Sequence, residues 1–415
     1  MAFSLLSFRN GLSSRFVLAD VQREACTSFL RRLVQTPSPS GEEAAVARLV
    51  AAEMVECGLL GVHTDRIGNV IGRYGRSGGP ILLLNAHMDT VGVGDPEAWK
   101  YDPYGAEIVE GWLYGRGSAD MKGALAAMVY GVALLAQNRV ELPGEVVVAA
   151  VVQEEPTEGM AMRVLVNEEG LRPDWVILGE PTNLQIARGH RGRMELRVTV
   201  QGRGAHASAP ERGENALSAA ARLIFGLEML SANLMSDPVL GKATLAVTGL
   251  TTVASSRNAI PERCDLVIDR RLTLGETATR ALAEIEAVIR REGIRATVGI
   301  NRYTSTSYTG YQTEGLDLYP AWLLPENHPL LQLSLSALER HFGRRPAVIT
   351  WPFSTDGAFT MGEAAIPTIG FGPGDPRVAH TADEAIRLAD VHEAAEAYAT
   401  LVVELLTALA RRGSA

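Results

Sequence analysis

Runs of apolar residues alternate with segments of helical spacing along most of the chain. The helical segments are 20–57 (interrupted by Thr36-Pro-Ser-Pro-Ser-Gly41), 120–137, 159–170 and 390–411. Between them, short apolar runs predict buried strands at 81–85, 145–153, 175–179 and 367–371. Alternation of buried strands with helices predicts an α/β fold whose mixed, mostly parallel sheet is flanked by helices.

The pattern changes near Gly189. Residues 195–200 alternate apolar and polar side chains with period two, which is typical of a strand with one exposed face. The elements that follow are a helix (214–234), two strands (242–249 and 264–272), a second helix (276–292) and a last strand (295–301). Their order, βαββαβ, predicts an inserted α+β domain. We therefore expect a discontinuous main domain (1–187 and 302–415), an inserted domain (188–301), and a Tyr- and Thr-rich connection over 302–320.

Size and charge narrow the class of protein. The chain has 415 residues, which favours two domains, and its net charge of −9 argues against a nucleic-acid partner. Its three scattered cysteines suggest no disulfide framework. Residues 1–9 lack the pattern of a signal peptide, and we expect no run of the ~20 apolar residues that a membrane span needs. These features predict a cytoplasmic protein without a membrane partner.

Side chains that bind metals follow several of the predicted strands. His87 and Asp89 follow 81–85, Glu154 and Glu155 end the run from 145, Glu180 follows 175–179, and His380 lies after 367–371. The carboxyl ends of parallel strands meet at one crevice of an open sheet. Burying adjacent carboxylates there is costly unless a cation or a reaction needs them, and catalytic zinc takes His nitrogen and carboxylate oxygen. The pattern indicates a metal centre.

Three local arrangements refine this hypothesis. On an extended chain Asp89 faces the same way as His87, so its carboxylate can orient that ring. Asp120 lies between a Gly-rich turn and a predicted helix, where it either binds metal or simply caps the helix. Ser40 and Glu43 have the spacing of a capping box for the helix that follows them.

The blocks HMDTV (from His87), GRGSADMKG, QEEP, LGEPTN and GPGDPRVAHTADE occur in this order from residue 87 onward. They resemble the motifs of the aminoacylase, acetylornithine deacetylase and succinyl-diaminopimelate desuccinylase family of di-zinc hydrolases. The resemblance implies a zinc-exopeptidase-like catalytic domain with a lid that dimerises. It implies two divalent ions, zinc being favoured by availability over cobalt or manganese. By the resemblance His87, Asp120 and Glu180 hold one ion, Asp120, Glu155 and His380 hold the other, Glu154 is the general base and Asp89 orients His87.

The resemblance also assigns residues of the lid. His206, in GRGAHASAP, would reach the active site of the partner subunit of a homodimer, and Asn258 and Arg271 would contact a substrate carboxylate. Arg270 adjoins Arg271, and strand alternation turns only one of the two toward the ligand. Gly374 would line the pocket through its backbone. The block RGHRGRME resembles a subgroup labelled selenium-metabolism-linked hydrolases, and it leaves the role of His190 open.

These observations predict a metal-dependent hydrolase that cleaves an amide or peptide bond in a small substrate with a free carboxylate, such as an N-acyl amino acid or a dipeptide. A zinc-activated water would attack directly, with Glu154 accepting its proton. Three alternatives stay open: a ureido or carbamoyl substrate on the same fold, a metal-dependent binding protein without turnover, and a structural dimer module. An intact Glu154 argues against the binding protein, and the buried acids argue against the structural module.

Overall fold

The larger sheet forms the centre of the main domain. The computed structural model describes residues 16–413. In spatial order the strands of this sheet are Leu60–Thr64, Val70–Gly75, Glu145–Val151, Ile81–His87, Trp175–Leu178, Thr368–Gly370, Ile186–His190 and Trp322–Leu323, with Val348–Trp351 also pairing with Ile186–His190. Both parallel and antiparallel pairs occur. The predicted α/β class with a mixed sheet is confirmed.

The middle of this sheet is parallel. Ile81–His87 pairs in parallel with Glu145–Val151 on one side and with Trp175–Leu178 on the other, and Thr368–Gly370 continues the parallel set. These strands are almost wholly buried because helices cover both faces, which explains their unbroken apolar runs. Their carboxyl ends therefore meet along one edge.

The helices flank the sheet, and one of them is enclosed by the others. The helices of the main domain are Asp20–Gln35, Ala44–Glu56, Gly123–Gln137, Met160–Asn167, Pro329–Phe342, Gly357–Thr360 and Leu388–Gly413. Gly123–Gln137 packs against both Leu388–Gly413 and Asp20–Gln35. Ser118–Gln137 is long and apolar enough to cross a membrane, so the expectation that no segment reaches that length is wrong. This segment is 89 % buried inside the protein, as a core helix is.

The smaller sheet is antiparallel and has its own apolar core. Its strands lie in the order Thr244–Val253, Arg263–Leu272, Gly192–Gln201 and Ala296–Ile300, and Leu318–Tyr319 pairs with Gly192–Gln201. The helices Ala216–Ser231 and Ala278–Arg291 supply the rest of this core. The element order is the predicted βαββαβ. The domain limits at 188 and 301 stay a prediction; Ile186–His190 lies in the larger sheet.

Short elements complete the described chain. They are the strand pairs Ser236–Asp237 with Gly241–Lys242 and Arg302–Thr306 with Gln312–Leu316, the three-stranded sheet Ala385–Arg387, Trp112–Tyr114 and Glu107–Val109, the 3-10 turns Pro96–Ala98 and Pro210–Arg212, and the turn Ser118–Lys122. The connection predicted over 302–320 thus contains a β-hairpin. The prediction for residues 1–9 lies outside the described part of the chain, which begins at residue 16.

Two expected helix starts are wrong. Glu43 itself occupies the cap position of Ala44–Glu56, and the Ser40 hydroxyl donates to Asp89 instead of capping the helix. The helix expected to open at Asp120 begins at Gly123, because Asp120 and Met121 have non-helical backbone angles. In both places the polar side chain is used for a contact far away in sequence.

Candidate metal centre

His87 ends a central strand and points one ring nitrogen into the crevice. Its Nδ1 donates to the backbone oxygen of Asp89 at 2.9 Å, and the Asp89 carboxylate lies 3.7 Å away. The sequence predicted the carboxylate at this nitrogen; the structure places the backbone oxygen there. Nε2 lies 3.1 Å from Asp120 Oδ1 and 3.9 Å from Glu180 Oε1. With Nδ1 protonated, Nε2 presents its lone pair to the crevice, as a metal ligand must.

Asp89 holds the chain that carries the two adjacent glutamates. Its Oδ1 accepts the backbone N–H of Glu154 at 3.1 Å, and its Oδ2 accepts that of Glu155 at 3.2 Å. The Ser40 hydroxyl donates to Oδ2 at 2.6 Å. Asp89 is fully buried. Its carboxylate therefore orients the Glu154–Glu155 segment as well as lying beside His87.

Asp120 lies between the two histidines. Its Oδ1 is 3.1 Å from His87 Nε2, and its Oδ2 is 3.3 Å from His380 Nε2. His380 also lies 3.1 Å from Glu155 Oε2, and its side chain is 52 % exposed, whereas that of His87 is 1 % exposed. One carboxylate with an imidazole on each oxygen has the arrangement of a bridging ligand between two cations.

Glu384 fixes the loop that bears Asp120, and the sequence reasoning missed this role. Its carboxylate accepts the backbone N–H groups of Gly117, Ala119 and Asp120 at 3.0–3.1 Å and pairs with Arg116 at 2.6 Å, all in the interior. Burial, and then the charge of Asp120, raise the pKa of Glu384 to about 7. Its place in the block that also contains His380 was the available signal.

Glu154 and Glu180 form the deeper half of the centre. His87, Glu154 and Glu180 present ligand atoms within 4.8 Å of one another, as do His87, Asp120 and Glu155. Burial and the charge of Glu180 raise the pKa of Glu154 well above its usual range. Glu154 Oε1 is buried without a hydrogen-bond partner. An orphaned carboxylate oxygen is costly in a protein interior and indicates a missing partner.

The charges of this cluster do not balance. Asp89, Asp120, Glu154, Glu155 and Glu180 face two imidazoles, and none of the five makes an ion pair with Lys or Arg in residues 16–413. Uncompensated buried carboxylates are strongly unfavourable. Oxygen and imidazole donors with an orphaned oxygen fit divalent cations.

Glycines let the neighbouring loops approach. A side chain at Gly372 would meet the backbone oxygens of Gly179 and Glu180 at 2.2 and 2.6 Å, so only glycine fits against the turn that carries Glu180. Gly374 adopts φ +89° beside Ala119, and its carbonyl accepts the N–H of Asn183. The predicted pocket glycine thus lies next to the residue that precedes Asp120.

His206 and Asn258 lie together on the lid, apart from this cluster. Both are exposed, and His206 forms a β-bridge with Ala259. His206 Nδ1 accepts from the Ser208 hydroxyl at 2.7 Å, and Asn258 Oδ1 accepts from Ser256. Within residues 16–413 neither side chain bonds to the carboxylates. The lone pair of His206 Nδ1 is thus engaged within its own loop.

Arg270 and Arg271 point to opposite faces of the lid sheet. Arg270 is fully buried and pairs with Glu276 and Glu284 under the lid helices. Arg271 lies on the other face, with a bidentate pair to Asp269 at 2.8 and 3.1 Å. Of the two, Arg271 is therefore the residue placed for a ligand.

His190 is a buried structural histidine at the junction. Its Nδ1 donates to the carbonyl of Arg191 at 2.9 Å, and its Nε2 accepts the N–H of Thr355 at 3.2 Å. Burial lowers the pKa of His190 to about 4. Both ring nitrogens are used, so the ring is neutral and has no free ligand position.

Known proteins resemble this chain over most of its length. The model of peptidase family M20/M25/M40 matches residues 83–404. The uncharacterized protein YgeY of Escherichia coli K12 is 39 % identical over 360 residues, covering 86 % of this chain and 89 % of YgeY. A succinyl-diaminopimelate desuccinylase of Methylorubrum extorquens is 30 % identical over 389 residues, covering 88 % and 94 %. The structure of Bacillus subtilis YXEP, described as a dinuclear metal binding peptidase of this family, superimposes with TM-score 0.68 at 17 % identity and covers 94 % and 99 %.

Proposed function

This chain belongs to peptidase family M20/M25/M40, and on that premise we propose that it is a two-metal amidohydrolase of small carboxylate-bearing substrates. Membership makes it a metallohydrolase that cleaves amide or peptide bonds in small substrates. The resemblance inferred from its motifs is confirmed. The subgroup suggested by RGHRGRME stays a prediction.

The proposed ligands divide into two sets that share Asp120. His87, Asp120 and Glu180 would hold one ion, and Asp120, Glu155 and His380 the other. The contacts of Asp120 with both histidines support this division. Zinc is proposed for its preference for imidazole and carboxylate, with cobalt and manganese as alternatives.

The orphaned oxygen of Glu154 is the observation that carries the proposed chemistry. Bound divalent ions would acidify a water and polarise the scissile carbonyl. Glu154 would accept the proton of the attacking water at its carboxylate and return it to the leaving nitrogen. Burial raises the pKa of Glu154 in the metal-free chain, and bound cations would lower it again. The Asp89 carboxylate accepts the backbone N–H of Glu154 and so holds that residue in place.

The lid would supply substrate recognition. Arg271 can hold a substrate carboxylate bidentately, Asn258 can donate an amide N–H to it, and Gly374 can offer its backbone. An N-acyl amino acid or a dipeptide meets these requirements, which makes a deacetylase-type or dipeptidase activity our proposal. His206 would stabilise the oxyanion in the partner's site.

We also propose a homodimer formed through the lid, in a reducing, cytoplasmic compartment. The helix Ala216–Ser231 leaves Phe225 and Met229 69 % and 67 % exposed, and the edge strand Thr244–Val253 next to it exposes Leu250. An apolar helix face beside a free strand edge suits a two-fold contact. The three cysteines are buried and free, which fits a reducing compartment.

Metal content and substrate range test this function together. We expect about two metal equivalents per chain, turnover of N-acyl amino acids or dipeptides, loss of turnover with a chelator and its return with zinc or cobalt. N-carbamoyl amino acids form a separate arm, and turnover confined to them would favour the ureido alternative. Two bound metals without turnover on either panel would favour a binding protein.

A further inference from the structure

A β-hairpin outside the metal centre touches the segment that carries Glu154. The hairpin is formed by Arg302–Thr306 and Gln312–Leu316, and it follows directly after the last lid strand, Ala296–Ile300. At its base the backbone N–H of Asp317 donates to Asn301, and that of Asn301 donates to Glu195 in the lid sheet. The hairpin is therefore continuous with the lid.

The tip of the hairpin rests on the main domain. The Tyr308 hydroxyl donates to the carbonyl of Gly68 at 2.8 Å, and the Thr309 hydroxyl donates to the carbonyl of Arg66 at 2.6 Å. A side chain at Gly68 would clash with the Tyr308 ring, so the two surfaces are in close contact. Tyr311 adds a hydrogen bond to Glu168 at 2.8 Å. These contacts fix the hairpin to the domain that holds the metal centre.

Gln153 joins this hairpin to the glutamate pair. Its Nε2 donates to the carbonyl of Thr306 at 3.0 Å, and its Oε1 accepts from the Ser305 hydroxyl at 3.1 Å. Both ends of the amide are thus held by one hairpin strand. Gln153 is 2 % exposed and adopts φ +54°, a backbone conformation that a residue with a side chain seldom takes.

The backbone of Gln153 continues into a row of buried acceptors. Its N–H donates to Glu43 Oε1 at 3.1 Å, and the next two N–H groups, of Glu154 and Glu155, donate to Asp89. Glu43 is fully buried and also accepts the N–H of Gly41. Three successive backbone N–H groups thus donate to the buried carboxylates of Glu43 and Asp89. The side-chain amide of Gln153 is held by the hairpin.

We propose that Gln153 is a positioning residue, through which the hairpin sets the direction of the Glu154 carboxylate. The left-handed turn at Gln153 aims the chain that follows it, and the hairpin holds that turn through the side-chain amide. A shift of the base by a fraction of an ångström lowers the rate of the chemical step more than substrate binding. This inference rests on the proposed function of Glu154.

The first experiment compares Gln153→Asn with Ser305→Ala. Asparagine keeps the amide and tolerates the left-handed backbone but is one methylene too short for the hairpin. We expect kcat on the best panel substrate to fall about tenfold in Gln153→Asn and about threefold in Ser305→Ala, with KM and metal content unchanged. The double variant should match Gln153→Asn, because the shortened side chain already loses the Ser305 contact that Ser305→Ala removes. Thr304→Ala, exposed on the same strand, is the control and should keep the wild-type kcat.

A second readout does not need turnover. Deuterium exchange of the peptide that contains residues 153–155 should be faster in Ser305→Ala than in the wild type and in Thr304→Ala. Wild-type kcat in Gln153→Asn, additive effects in the double variant, or unchanged exchange in Ser305→Ala would overturn the inference. If the wild type hydrolyses no substrate of the panel, the proposed function fails, and the exchange experiment still decides whether the hairpin holds the segment.

Discussion

Asp89 uses both carboxylate oxygens to hold the backbone that carries Glu154 and Glu155, while its own carbonyl orients His87. One buried residue thus sets the positions of two proposed ligands, His87 and Glu155, and of the proposed base, Glu154. Residues of this kind matter to a metal centre almost as much as its ligands, because they fix ligand geometry before the ion arrives.

We expect Asp89→Ala to lower metal affinity by about 10- to 100-fold and kcat with it, while the protein stays folded. Metal titration of the chelated variant and steady-state kinetics measure the two effects. Asp95→Ala, which removes a carboxylate from a nearby surface turn, is the control. Wild-type metal affinity and rate in Asp89→Ala would mean that the position of these backbone groups does not depend on Asp89.

The lowered pKa of His190 makes the free energy of unfolding depend on pH. Its pKa of about 4 in the folded chain lies below the ordinary value of 6.5, so the unfolded chain binds the extra proton first as pH falls. The stabilisation by neutral His190 is therefore complete above pH 6.5 and is lost progressively toward pH 4. The unfolding free energy lost between pH 6.5 and pH 4 through His190 is about 3 kcal/mol, at 1.36 kcal/mol per pKa unit.

Urea unfolding of the chelated protein between pH 4.5 and 7.5 measures this effect. The difference in unfolding free energy between wild type and His190→Gln should be largest near pH 7.5 and should shrink toward pH 4.5. The same comparison for exposed His63, substituted His63→Gln, should show little change. A difference for His190→Gln that grows on acidification would contradict the neutral, buried state.

At the level of elements, the sequence predicted the strands better than the loops that join them. The strand ends that bear His87, Glu154, Glu155 and Glu180 follow from apolar runs, since a parallel strand buried on both faces is apolar throughout. The approach of these ends to one another follows from the sheet order. Periodicity thus predicted the centre of the sheet and the part of the site attached to it.

The roles of Ser40, Glu43 and Glu384 did not follow from local pattern. Ser40 and Glu43 have a capping-box spacing, yet their partners Asp89 and Gln153 lie 49 and 110 residues away. Glu384 acts on a loop more than 260 residues earlier. A capping-box spacing predicts contacts between residues close in sequence. The side chains of Ser40, Glu43 and Glu384 instead bond to loops that are distant in sequence. The hairpin 302–316 was missed because its polar strands lack an apolar alternation.

The two adjacent arginines of the lid strand Arg263–Leu272 should behave differently. Arg270→Met should lower the unfolding free energy by about 3–5 kcal/mol, because it leaves Glu276 buried and unpaired. Arg271→Met should raise KM for a carboxylate-bearing substrate and leave stability within about 1 kcal/mol, since its pair with Asp269 is partly exposed. Denaturation and kinetics on both variants measure this. A raised KM in a stable Arg270→Met would reverse the assignment.

At the scale of the whole molecule, His206 lies on an exposed lid loop, so its proposed role in the partner's site requires the dimer. If His206 serves the partner's site, a subunit lacking His206 and one lacking Glu154 complement each other. In a heterodimer of His206→Ala with Glu154→Gln, one of the two sites then has both groups.

Mixing and reassociating these two inactive variants should restore about a quarter of the wild-type activity, because about half of the dimers are mixed and each has one complete site. Phe225→Glu with Met229→Glu should give monomers on a sizing column and remove the complementation. Mixtures that stay inactive while mixed dimers form would show that His206 does not act across the interface.

In the proposed mechanism, the buried carboxylates form a metal-dependent hydrolytic centre with Glu154 as its base. The deciding measurement is the kcat of Glu154→Gln with its metal content determined in the same sample, beside Glu141→Gln, an exposed glutamate in the loop before the same strand. We predict that Glu154→Gln keeps its metal and loses about 10²- to 10⁴-fold in kcat, while Glu141→Gln matches the wild type. A fully metallated Glu154→Gln that turns over at the wild-type rate would contradict this mechanism.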